Sequence, residues 1–231
     1  MRMLTLVRHG QASFGAADYD RLSPLGERQM RLLGAWWAHT GMPGAHVVRG
    51  SLRRHRESAT LCLETWGRTA IAVHEEAGFD EFDYAEIVAH HAPELSSHDA
   101  LVRFLAAEAE PKAAFQRLFR AAVERWACGA HDADYRESWR AFKARVCAAL
   151  DRADALARDA PVAVFTSGGP IGAVVQQVLD VPDSRVLDLN WALANAGVTC
   201  LHQRGGRLTL SCLNATGHLE QADEAGLVTY R

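Results

Sequence analysis

Arg8, His9 and Gly10 stand at the abrupt end of an apolar stretch, Leu4 to Val7. A cation beside an imidazole, followed by a residue with no side chain to block approach, is what phosphoryl transfer through a histidine requires. Three more groupings carry compatible chemistry: Arg53-Arg54, Asp80-Glu81, and Ser167 followed by Gly168 and Gly169. Guanidinium forks grip phosphoryl oxygens, a carboxyl group moves a proton to or from the ester oxygen, and glycine amides opening a helix form an anion site.

These residues need elements that bring them together. Leu4 to Val7 lacks polar alternation, as in a strand buried on both faces of a parallel sheet, with Arg8 and His9 at its C-terminal end. Ser23-Pro24 opens a helix as N-cap and first residue, and Met30, Leu33 and Trp37, flanked by Leu32 and Trp36, give it an apolar face. Ala45 to Val48 reads as a second strand, followed from about Leu52 by a helix with Ala59, Leu63 and Trp66 on one side. Ala70 to Val73 reads as a third strand. From Leu101 to Leu156 the pattern is helical, with Trp139, Phe142, Val146 and Leu150 as one stripe. Val162 to Phe165 is a further buried strand, Thr166 to Pro170 a tight turn, and Ile171 to Leu179 a helix. Gly197 to His202 and Leu208 to Leu213 alternate like a hairpin around Gly205-Gly206. Strands alternating with helices predict a three-layer α/β/α fold with a mostly parallel central sheet, and its C-terminal edge is where ligands bind.

With 231 residues, 48% hydrophobic and 23% charged, the chain fits one domain, 1–231, with an inserted lid at approximately 84–136. The net charge of -3 offers no global attraction to nucleic acid or to an anionic membrane, so neither is expected as a partner. Cys62, Cys128, Cys147, Cys200 and Cys212 form no CxxC pair and read as buried thiols of a reducing compartment. The first strand begins almost at once, leaving no room for a signal peptide, and no run of about 18 apolar residues could span a membrane. A cytoplasmic location is expected.

The motifs resemble those of the histidine phosphatase superfamily, which includes the phosphoglycerate mutases. LVRHG at 6–10 matches the family signature, LSPLGERQ at 22–29 is similar to its first-helix motif, and SLRRHRESA at 51–59 resembles the segment supplying a second phosphate arginine, which in that register is Arg54. FDEFDY at 79–84 takes the place of the acidic loop, making Glu81 the proton donor, and LNATGHL at 213–219 also looks familial. The resemblance implies a phosphoglycerate mutase-like fold and a metal-independent, cofactor-free phosphatase acting on a phosphorylated small molecule or phosphoprotein. It also allows a homodimer. One departure stands out: the family usually has a second histidine in a pattern resembling THGG, where this chain has Thr166, Ser167, Gly168 and Gly169.

By this resemblance His9 is the nucleophile, kept neutral by nearby arginines and fixed in tautomer by a carbonyl, and Arg8 and Arg54 hold the phosphoryl oxygens. Arg53 and Arg56 stay on the surface. Glu81 protonates the leaving alkoxide, with Asp80 and Asp83 as rivals for that role. Ser167 and the Gly168 and Gly169 amides bind phosphate, with Gln11 and Ser13 as further neutral donors. A hydroxyl in place of imidazolium implies catalysis slower by about tenfold to a hundredfold, and restoring the histidine by Ser167→His is expected to raise the rate. His218 is the candidate to move into the vacated place. The pair His90-His91 is not expected to bind metal, because adjacent histidines point apart and no HExxH occurs.

Three alternatives remain open. The same pocket could bind a phosphorylated ligand without turning it over. A phosphoglycerate mutase-type enzyme would return the phosphoryl group to substrate, although RHGQASFG at 8–15 lacks the tryptophan and asparagine that resemble the mutase signature. Ser167 could be the nucleophile of an α/β hydrolase with Asp188 and His218, although Phe165 stands where the nucleophile elbow has glycine.

Overall fold

A computed structural model describes residues 2–13, 20–43, 46–158 and 160–230. In chain order the elements are β1 (Met3–Arg8), α1 (Pro24–Thr40), β2 (His46–Arg49), α2 (Arg53–Trp66), β3 (Val73–Glu75), α3 (Tyr84–His91), α4 (His98–Ala106), α5 (Pro111–Ala127), α6 (Trp139–Leu156), β4 (Val162–Thr166), α7 (Gly168–Leu179), α8 (Asp183–Ala192), β5 (Val198–Arg204), β6 (Arg207–Ala215) and α9 (Gly217–Glu220).

The six strands form one mixed sheet in the order β3-β2-β4-β1-β5-β6. β1, β2, β3 and β4 run parallel, and the β5–β6 hairpin closes one side antiparallel. Its turn is Gly205-Gly206, both at positive φ, between the paired Arg204 and Arg207. Successive side chains of a strand point to opposite faces, so β1 and β4 feed two cores. Leu4, Leu6, Val162 and Val164 pack with Phe142, Val146 and Leu150 of α6. Val7, Ala163 and Phe165 pack with Met30, Leu33 and Trp37 of α1 and with Ala59 and Leu63 of α2. The three-layer arrangement follows from that alternation.

Local signals start and stop the helices that matter to the site. The Ser23 hydroxyl accepts from the Gly26 amide, Pro24 occupies the first helical position, and Gly41 ends α1 in the left-handed conformation. Some boundaries differ from the sequence reading. The third strand is Val73–Glu75, not 70–73, because Gly67 ends α2 in a left-handed cap and the Ile71 amide closes back on the Arg68 carbonyl. Ala45 of the expected second strand lies outside the described residues. The helical stretch 101–156 divides into α4, α5 and α6, since Pro111 must begin a helix and cannot continue one. α7 begins at Gly168, so Thr166 to Pro170 is a strand end running into a helix, and α8 was not anticipated. Of the five thiols only Cys62 is fully buried, while Cys128 is exposed.

Gly10 has a purpose other than the one its sequence context suggests. A β-carbon there would collide with the Gly26 carbonyl, and one at Gly26 would collide with the Gln11 backbone, so two glycines let the β1 exit lie against the first turn of α1. Neighbouring backbone has no rotamer by which to yield. Gly10→Ala is expected to cost about 1–3 kcal/mol, read as a lower melting temperature, and to lower turnover by displacing His9. Unchanged stability would show that the approach of the two backbones is not what requires glycine.

Candidate active site

His9 leaves β1 with its amide bonded to the Thr166 carbonyl, 2.9 Å away on β4, and its own carbonyl accepting from the Ala196 amide at 3.2 Å. The ring is buried, and Nδ1 lies 2.7 Å from the Gly10 carbonyl oxygen. A carbonyl only accepts, so Nδ1 carries the proton and Nε2 keeps its lone pair. Burial, then the charges of Arg54 and Arg8 and the neighbouring His55, push the His9 pKa well below its ordinary value, outweighing the Gly10 carbonyl. The imidazole is thereby neutral, as a nucleophile must be.

Both arginines expected to hold phosphate come from buried positions. Arg8 ends β1 beside Thr166 and donates through Nη1 to the Leu193 carbonyl. Arg54 lies in the first turn of α2, with Nη1 2.7 Å from Asp20 and Nη2 3.5 Å from the Ser167 hydroxyl. Asp20 also accepts from the Arg53 amide at 2.8 Å and thus tethers the start of α2 to the segment before α1. Arg53 pairs with Glu57 at 2.6 Å and Arg56 is exposed, as the sequence register implied.

Glu81 accepts from the Gly169 amide at 3.2 Å and from its own neighbour, Phe82, at 3.3 Å. The Gly169 amide therefore holds the carboxylate, which corrects its assignment as a phosphate donor. The rivals are engaged elsewhere: Asp83 caps α3 through the Ala85 and Glu86 amides and pairs with Arg136, while Asp80 bonds the amide and hydroxyl of Ser51. Arg145 of α6 reaches the Ala77, Gly78 and Asp80 carbonyls at 3.0–3.2 Å and clamps the loop that presents Glu81. Nothing in the sequence distinguished Arg145 from a solvated helix cation. Its role depends on a loop 65 to 68 residues away.

Gln11 and Ser13 line a cavity of about 600 Å³ that opens onto Arg8 and His9. Their side chains are also used locally, Gln11 accepting from the Ser23 hydroxyl at 2.8 Å and Ser13 donating to the Leu22 carbonyl at 3.1 Å. Tyr84, Leu105, Phe115, Trp191 and Tyr230 supply apolar walls. The C-terminal strap at 227–230 is pinned there by Gln29, which donates to the Leu227 carbonyl and the Thr229 hydroxyl, and by the Thr229–Asn195 bonds. Among the described residues no cluster of histidine, cysteine and carboxylate side chains could hold a metal, and His90 and His91 are exposed on α3.

Two histidines depart from expectation. His218 does not fill the place beside Ser167; it lines a separate depression with Leu32, Trp36 and His39 and faces the Ala196 backbone. That place is taken by His55, fully buried on α2, whose Nε2 lies 2.7 Å from the Ser167 hydroxyl. The α/β-hydrolase alternative also fails, because Asp188 pairs with Arg120 and Arg185.

Burial lowers the His218 pKa to about 4. The unfolded chain then binds the proton first, so this residue's contribution is complete above about pH 6.5 and is lost as pH falls towards 4. His9 and His55 shift in the same direction. Urea melts are expected to show roughly 2 kcal/mol lost between pH 6.5 and 5 from His218 alone, and His218→Asn should flatten the dependence. A stability that rises on acidification would contradict the buried neutral histidines.

The C-terminal edge of the parallel strands thus gathers a buried neutral histidine, two buried arginines and a carboxylate. The sequence profile of the histidine phosphatase superfamily (branch 1) matches residues 4–127 and 102–216, and the chain belongs to that superfamily. Its class is that of phosphatases and related mutases. Solved structures with the same fold include a mutant phosphoserine phosphatase from Entamoeba histolytica in complex with phosphoserine, 18% identical, TM-score 0.65, covering 95% of this chain and 100% of the other. A phosphoglycerate mutase from Bacillus anthracis is 18% identical with TM-score 0.65 over 96% and 97% of the two chains. A mycobacterial glucosyl-3-phosphoglycerate phosphatase is 21% identical with TM-score 0.63 over 94% and 100%. At these identities the likeness is one of fold. No protein of curated function matches the chain in sequence.

Among the described residues no helix is long and apolar enough to cross a membrane.

Proposed function

We propose that the chain is a metal-independent phosphomonoesterase that acts through a phosphohistidine on His9. The observation that carries this reading is the state of His9, buried between Arg8 and Arg54 with Nδ1 committed to the Gly10 carbonyl and Nε2 left as the attacking atom. The Nε2 lone pair forms the N–P bond while the ester P–O bond breaks. Arg8 and Arg54 take up charge on the equatorial oxygens, and Glu81 supplies the proton to the leaving alkoxide. Glu81 then accepts a proton from water as that water attacks phosphorus, releasing phosphate and neutral His9. Residues 84–136 act as the lid, through Leu105, Pro111, Phe115 and Gln116 on the cavity wall.

The wall also bears on substrate. Apart from Arg8 and His9, its described side chains are uncharged. A second anionic group on the substrate would lose water there and meet neutral donors but, among the described residues of the wall, no further cation. Aryl phosphates such as naphthyl phosphate are therefore expected to exceed 3-phosphoglycerate in kcat/KM by at least about tenfold. A preference for the phosphoglycerate would point instead to mutase-type chemistry.

The test of the reaction class is phosphate release from p-nitrophenyl phosphate between about pH 5 and 8 with EDTA present. Turnover supports the reading. A folded protein that binds phosphate without turnover would be a binding pocket that has lost its chemistry.

A further inference from the structure

The family resemblance places a second histidine where this chain has Ser167, yet the site still contains two imidazoles. His55 enters from the first turn of α2, and its ring centroid lies 5.8 Å from that of His9. Its Nε2 is 2.7 Å from Ser167 Oγ, and its Nδ1 is 3.6 Å from Asp80 Oδ1, an ion-pair separation. The surroundings are shaped to this arrangement: a β-carbon at Gly50 would collide with both His55 Nδ1 and the Asp80 carboxylate. Ser51 fixes Asp80 by its amide and its hydroxyl. Ser167 directly follows Thr166, the β4 residue paired with Arg8 and bonded to the His9 amide, so its hydroxyl lies at the strand end beside the proposed nucleophile.

We infer that Asp80, His55 and Ser167 together replace the second histidine, with Ser167 touching the phosphoryl group and His55 supplying the positive charge from one bond behind it. This rests on the phosphate-site reading of Arg8, His9 and Arg54. A serine hydroxyl accepts two hydrogen bonds and donates one. Arg54 Nη2 donates to Ser167 Oγ, and a protonated His55 donates to the same oxygen from Nε2 while its Nδ1–H faces Asp80. The serine proton is then left for a phosphoryl oxygen. When His55 is neutral with its proton on Nδ1, Nε2 accepts the serine proton instead and the donor is withdrawn from the site.

Binding a dianion therefore takes up one proton from solvent, which forms the Nε2–H bond of His55, and no bond between heavy atoms changes. Without an anion His55 is mostly neutral at pH 7, since burial and Arg54 lower its pKa against the opposing pull of Asp80 and Glu81. The charges facing it are Arg54 on its own helix, Asp80 and Glu81 on the loop before α3, and His9 at the end of β1. A bound dianion shifts this balance towards the imidazolium. His55 and Asp80 are positioning residues here, and Ser167 is the group that meets substrate. Ser167→His alone is no longer expected to raise the rate, because the new ring would be driven into His55.

Sulfate tests the idea, because it does not itself titrate between pH 5 and 8. Calorimetry of the wild-type protein should show sulfate affinity falling by up to about tenfold per pH unit above neutrality, the slope of a one-proton linkage. His55→Gln and Ser167→Ala should each flatten that slope, and the smaller Ser167→Ala change keeps the test available if the helix tolerates His55 substitution poorly. With p-nitrophenyl phosphate, His55→Gln should lower kcat about tenfold to a hundredfold and remove the alkaline fall in its pH profile. The exchange variant His55→Ala/Ser167→His should recover most of that loss. Wild-type slopes retained in both single variants, or no wild-type slope at all, would overturn the relay. The sulfate arm does not depend on turnover, so an inactive protein whose sulfate slope needs His55 would keep the relay and remove the phosphatase reading. Turnover that survives His9→Ala but not Ser167→Ala would make the serine a nucleophile and overturn both.

Discussion

His9→Ala is expected to remove phosphomonoester turnover by on the order of 10⁴-fold or more, the scale seen when a covalent nucleophile is deleted. Neither arginine can carry a phosphoryl group, and water would have to attack the ester without the intermediate that divides one hard step into two. Because Arg8 is held by the Leu193 carbonyl and Arg54 by Asp20, the anion site should outlast the substitution. The checking measurements are a p-nitrophenyl phosphate assay beside phosphate binding followed by calorimetry. Lost turnover with retained binding is the expected pair. Activity within about tenfold of wild type would refute a phosphohistidine on this residue.

Glu81→Gln should separate leaving groups. The amide is nearly isosteric and can still accept from the Gly169 amide, so geometry is conserved while the transferable proton is lost. An alkyl phosphate, whose alkoxide is strongly basic, should slow by about 10²- to 10⁴-fold. p-Nitrophenyl phosphate, whose phenoxide leaves without help, should change far less at the phosphorylation step. A Brønsted plot of rate against leaving-group acidity reads this directly: it should be shallow in wild type and steep in the variant. Equal losses across the series would move the acid to another group. Asp83→Asn is the control, since Asp83 caps α3 and should affect stability without altering the slope.

The parts of the site written in contiguous residues were the parts legible in sequence. Arg8 and His9 sit at the end of an apolar run, and Arg54 is the second residue of a helix whose register the neighbouring residues define. The Ser23-Pro24 cap and the Trp139–Leu150 stripe likewise depend on neighbours a few residues apart. Contacts between distant segments were not legible. His55 meets Ser167 across 112 residues, and sequence position favoured His218, which lines a separate depression with Leu32, Trp36 and His39. Asp20 and Arg145 were missed for the same reason, because each acts on a segment tens of residues away. At Gly10 the structure adds a reason the sequence did not show, the crowding of a β-carbon against the Gly26 carbonyl. The serine at position 167 was visible, but a comparison at one position does not reveal that the His55 imidazole lies 2.7 Å from its hydroxyl.

The position of β1 in the sheet bears on how the molecule comes into being. It precedes the other five strands of the sheet in the chain, yet its neighbours are β4 and β5, whose first residues are 162 and 198. Until those segments emerge from the ribosome, an apolar strand and the adjoining Arg8-His9 have no sheet to enter. Contacts this remote in sequence favour slow folding and expose strand edges meanwhile. Recovery of catalysis on refolding should therefore coincide with the last cooperative phase, and chains truncated before β4 should depend on chaperones to keep that strand from pairing with its own kind.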